Sequence, residues 1–209
     1  MNSIKKKPFW DIDENESFIV KNSYKVLKKH DTDKQEFYSL LLNFFDTITK
    51  KIQKGYNKKI QDYLSTYTND TIVTVLPIQI LYLIPNLILF IHTPHVFSEI
   101  SDNPYFIGIN KPKEIYTSVS ENDIFINKND KMLRASWRLV MLKLSLSPKK
   151  LYDLYIHEIA HTFANHVQYR HDDHKEDYNR CYILFSKIAE EYNVYNQLMS
   201  LYYNNNNYK

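Results

Sequence analysis

Cysteine is nearly missing from this chain. Cys181 stands alone, so neither a disulfide framework nor a cysteine zinc site can form within one chain, and a reducing compartment suits it. Glycine is almost as scarce, with only Gly55 and Gly108. Together with abundant Lys, Asn, Tyr and Ile, that is the bias an AT-rich genome produces, and it points to no function. The N-terminus has basic residues but no apolar h-region, which argues against a secretory signal. Charge of one sign is not in large excess either. At a net +3, the basic runs at Lys5–Lys7 and Lys50–Lys59 are expected to be a floppy tail and a solvated helix face rather than a nucleic-acid surface. No internal repeat, zinc ribbon or recognisable DNA-binding or ubiquitin-binding module is present.

An apolar fraction of 44% and an aromatic fraction of 15% over 209 residues are globular values, enough for one real core. We expect a single domain over residues 17–203, a loose polar tail over 1–16 and an Asn-rich disordered tail over 204–209. "FIVKNSYKVL" from Phe18 reads as a first strand or a short lead-in. Phe37, Leu40, Leu41, Phe44, Phe45, Ile48 and Ile52 recur at helical spacing, predicting one long amphipathic helix from Asp33 to about Leu64, with a break near Gly55.

Thr71 to His92 holds no Asp, Glu, Lys or Arg, and its length alone admits a membrane span. Pro77, Pro85, Gln79, Asn86 and the β-branched start favour buried strand and turn instead. Two short strands are predicted at Glu114 to Val119 and Asp123 to Asn127, then helical patterns at Lys131–Leu146 and from Pro148 onward.

Five of the eight histidines fall in the eighteen residues "HEIAHTFANHVQYRHDDH", from His157 to His174. The stretch opens as H-E-x-x-H, which random placement in this composition would give about 0.014 times per chain. Ser147 is a good N-cap and Pro148 suits the first helical position. On that helix His157 and His161 are about 40° apart, opposite the apolar stripe of Leu151, Tyr155, Ile159 and Phe163. Glu158 lies about 100° round from His157, placed to reach a metal-held water without ligating the metal. Zinc in a catalytic site takes three protein ligands and leaves one position for water.

Three further histidines compete for the third position. His166 lies nine residues from His157, about half a turn away if the helix continues, and faces backwards. His171 and His174 both lie beyond the helix. Local sequence favours His174, because Asp173 and Glu176 form a capping-box-like start to a new helix that would hold it in the first turn. A non-histidine ligand stays open, with Glu176, Glu190 and Glu191 as candidates. Ala164 and Val167 stand where a metzincin has Gly and His.

These residues, "YIHEIAHTF" and "DDHKEDY", resemble the WLM and SprT-like zinc metallopeptidases. Their pattern is a helical H-E-x-x-H, a loop, then H-x-x-x-aromatic opening the next helix. Here it falls on His157, Glu158, His161, His174 and Tyr178, while Asn179 replaces the usual following Trp. "SENDIFINKND" resembles the strand such proteins place before the catalytic helix, and the order of elements is similar to WLM-like proteins of large DNA viruses. The resemblance implies an α+β, zincin-like fold in which a small mixed sheet packs on several helices. It implies a Zn2+ cofactor held by His157, His161 and His174. It implies peptide hydrolysis with Glu158 as general base, an intracellular location and substrates among DNA-associated proteins. Its rival is an inactive zincin-fold virion or scaffold protein. Tyr178, Tyr169 and Arg170 are candidates to stabilise an oxyanion, although Tyr178 fits better as packing in a helical stripe. Cys181 reads as a small core residue.

Overall fold

The two residues Asn22 and Ser23 both take positive φ, 48° and 73°, as a two-residue hairpin turn with the right twist requires. They join β1 (Phe18–Lys21) to β2 (Tyr24–Leu27) as an antiparallel pair closing at Lys21 and Tyr24. In the computed structural model the chain is described over residues 18–65, 95–100, 106–116, 134–163, 174 and 176–205. The expected tail over 1–16, the apolar run Thr71–His92, the strand at 123–127, and His166 and His171 lie outside those residues.

After β2, Asp31 caps a long helix: its carboxylate accepts the Lys34 amide at 2.8 Å and its carbonyl accepts Gln35 at 2.9 Å. Helix α1 (Thr32–Ser65) then runs through Gly55 without a break. The glycine there serves packing. A side chain at Gly55 would run into the Tyr192 phenol, so its missing Cβ lets two elements approach.

Three more strands follow: β3 (His95–Glu99), β4 (Gly108–Tyr116) and β5 (Arg134–Leu142). The sheet order is β1-β2-β3-β5-β4, with β3 parallel to both β2 and β5 and the outer pairs antiparallel. Thus β4 is an edge strand, which is why it tolerates Pro112 and a register irregularity beside it. It starts six residues ahead of the strand expected at Glu114.

β5 corrects the sequence reading, which took Lys131–Leu146 as helical. Leu139, Val140, Met141 and Leu142 are all buried, on alternating faces. A strand covered on both sides shows an unbroken apolar run, so the period-2 signal that separates strand from helix is erased.

One sheet face carries His95, Phe97 and Glu99 of β3 opposite Arg138, Val140 and Leu142 of β5. The other carries a smaller cluster of Ile100, Leu139 and Met141. The helical side comprises α1, α2 (Pro148–Phe163), α3 (Glu176–Glu191) and α4 (Val194–Asn204). Ser147 gives α2 its first carbonyl acceptor, to Leu151 at 2.8 Å. Leu151, Tyr155 and Ile159 are fully buried as expected, but Leu154, Ile156 and Ala160 are buried too. The helix is therefore central, touching β4, β5, α3 and α4. The fold is mixed α+β. Among the described residues, no helix is long and apolar enough to cross a membrane.

Candidate metal centre

His157 and His161 stand one turn apart on α2, and both are partly exposed. His174 reaches the same point from two residues ahead of α3 rather than from within its first turn. The Nε2 atoms of His157 and His161 are 3.3 Å apart, and those of His157 and His174 are 3.2 Å apart. All three ligand atoms lie within 4.8 Å of one another. A tetrahedral zinc with Zn–N bonds of about 2.0–2.1 Å would hold its nitrogens about 3.3–3.4 Å apart, so the two separations from His157 fit such an ion. His157 and His161 are half-buried and His174 is exposed, so the cluster has one open side.

Electrostatics favour neutral ligand chemistry. Burial, aided by His174, pushes the His157 imidazolium down to about 4. A neutral imidazole is the form that binds metal.

Glu158 packs against the sheet at β4. Its carboxylate lies where a side chain at Gly108 would have to go, and the residue is only 5% exposed. Burial pushes its carboxyl up to about 8, with the Arg138 guanidinium pulling the other way. Arg138 is itself fully buried on β5. Its Nε donates to Asn110 Oδ1 at 2.8 Å. The Asn110 amide in turn donates to the Glu158 carbonyl, and to Thr162 Oγ1 at 2.9 Å. His95 completes the line, with Nε2 at 3.2 Å from Thr162 Oγ1 and Nδ1 at 3.4 Å from the Gln53 amide. Three neighbouring strands, β3, β5 and β4, thus each place one polar side chain beneath the motif helix. Sequence reading missed Asn110, Arg138, His95 and Gly108. They carry no distinctive local signal, because the register that brings them under Glu158 is long-range.

Tyr178 also differs from expectation. Its ring centroid is 4.6 Å from both His161 and His174 and 5.4 Å from His157. The phenol oxygen is 2.8 Å from His157 Nδ1 and 3.4 Å from the His157 carbonyl. Burial raises the phenol above its ordinary pKa. It is more than stripe packing, and its i+4 spacing from His174 was the signal. Cys181 is buried in the core, as expected. Tyr169 and Arg170 lie outside the described residues. No protein-family model, curated protein or solved structure matches the chain.

Proposed function

We propose that this chain is a zincin-like, zinc-dependent metallopeptidase that hydrolyses peptide bonds in polypeptide substrates. The observation that carries the reading is the convergence of His157, His161 and His174, with the nitrogens of His161 and His174 each at the separation from His157 that a tetrahedral ion would give. Zinc bound there would supply Lewis acidity toward a water molecule and the scissile carbonyl.

The remaining work falls to the chain's own residues. Glu158 is assigned as general base, taking a proton from water and returning it to the leaving amine. Burial holds its carboxyl at about 8, so a cation held by the histidines would favour the carboxylate this role needs; such a role is worth about 10²–10⁴ in rate. Asn110, bonded to the Glu158 carbonyl and to Thr162, fixes the turn of α2 that carries the base. His174 is the most exposed of the three histidines.

By analogy with the WLM and SprT-like enzymes, we infer an intracellular peptidase whose substrates include proteins held on DNA. In the test, Glu158→Gln keeps about one zinc per chain and loses hydrolysis of unfolded casein. Hydrolysis retained by that variant would remove Glu158 from the base role. One observation favours a second reading, an inactive scaffold or virion protein on the same fold: the Glu158 carboxylate is packed against Gly108 and almost fully buried. Zinc bound by the parent, without cleavage of unfolded or DNA-held protein, would support it.

A further inference from the structure

An imidazole that ligates through Nε2 must carry its proton on Nδ1, and the group that Nδ1 meets decides whether it does. In His157 that group is the phenol of Tyr178, 2.8 Å from Nδ1. A phenol can donate or accept there, so proximity alone leaves the tautomer open. A second contact points to one answer. The same oxygen lies 3.4 Å from the His157 carbonyl, which can only accept. When its single proton goes to that carbonyl, Tyr178 Oη accepts from the ring. Nδ1 of His157 then carries the hydrogen, and the Nε2 lone pair faces His161 and His174.

We propose that Tyr178 is a positioning residue of the histidine cluster: it sets the tautomer and ring orientation of His157, so that a divalent metal meets three lone pairs. The proposal rests on the metal-binding reading given above. It assigns the phenol neither to the metal nor to an oxyanion, because its oxygen sits on the Nδ1 side of the ring and its proton is directed at the backbone. Placement in sequence adds a coupling. Tyr178 follows His174 by four residues, and the Asn179 side chain holds the His174 carbonyl at 3.5 Å. The first turn of α3 therefore holds the backbone of the residue that carries the third imidazole and supplies the group that orients the first.

The test uses the metal-free full chain labelled with nitrogen-15, beside Tyr178→Phe, which keeps the ring against the three imidazoles. Long-range proton–nitrogen correlation of His157 should show the Nδ1–H tautomer in the parent and a mixture in the variant. Zinc affinity, measured by competition with a chromophoric chelator, should fall about 10–100-fold in the variant. A purely structural role would lower the unfolding temperature and leave the tautomer unchanged. The parent spectrum decides even if the variant does not fold: an Nε2–H tautomer there overturns the proposal. Equal zinc affinity in parent and variant overturns the positioning role alone. Absence of zinc uptake by the parent overturns the metallopeptidase reading, and this role with it.

Discussion

A methyl group at Gly108 tests how tightly the sheet holds Glu158. The Cβ of Gly108→Ala would fall within 3.0 Å of Glu158 Oε1, Glu158 Cδ and Leu154 Cδ1. Glu158 and Leu154 are 5% and 6% exposed, so neither side chain has solvent to swing into. Two effects oppose each other. Gly108 does not have positive φ, so alanine adopts its backbone without strain, and stiffening the unfolded chain would stabilise by about 0.4–1 kcal/mol. Overpacking a filled site costs about 1–3 kcal/mol. The clash wins, with an expected net loss of about 1–2 kcal/mol. For a chain of this size that lowers the unfolding midpoint by roughly 2–8 °C. Zinc content should hold, because the atoms nearest the new methyl belong to Glu158 and Leu154, whereas hydrolysis should fall more than tenfold as the carboxylate is displaced. Gly55→Ala is the matched control. Its clash is with the tip of a partly exposed Tyr192, and helix propensity gives back about 1 kcal/mol. Thermal unfolding, bound-zinc counting and casein hydrolysis on both variants decide the matter. A Gly108→Ala protein as stable and active as the parent would refute the reasoning.

Two further outcomes follow from the buried polar line. Arg138→Met leaves Asn110 Oδ1 without the guanidinium donor that meets it at 2.8 Å, and should cost about 1–3 kcal/mol in urea unfolding. An unchanged midpoint would show that the bond contributes nothing. Burial first, then the charges of Arg138 and Lys50, push His95 from 6.5 down to about 3. The unfolded chain takes the proton first, so this group's contribution is full above about 6.5 and is lost as pH falls toward about 3. Between pH 7 and 5 the loss should be about 2 kcal/mol, and His95→Gln should flatten that slope. Identical slopes in parent and variant would place the titration elsewhere.

How much of this was legible in the sequence depended on distance along the chain. The motif helix was legible because its signals are local: Ser147 and Pro148 at its start, the 3.6-residue stripe, and His157 and His161 one turn apart. His174 was favoured over His171 for the same reason, a start signal next to it, although α3 begins two residues after it. β5 was misread because both of its faces are buried. Asn110, Arg138 and Gly108 gave no warning, since only the pairing of β4 with β5 brings them under Glu158. Tyr178 was assigned to packing because a helical stripe does not distinguish a ring that fills space from one whose oxygen also holds an imidazole.

The most direct measurement of the central claim is the number of zinc ions bound per chain, by mass spectrometry, in the parent, His174→Ala and His171→Ala. About one zinc in the parent and in His171→Ala, with almost none in His174→Ala, is the expected result. No zinc in the parent after reconstitution, or its loss in His171→Ala alone, would contradict the three-histidine site.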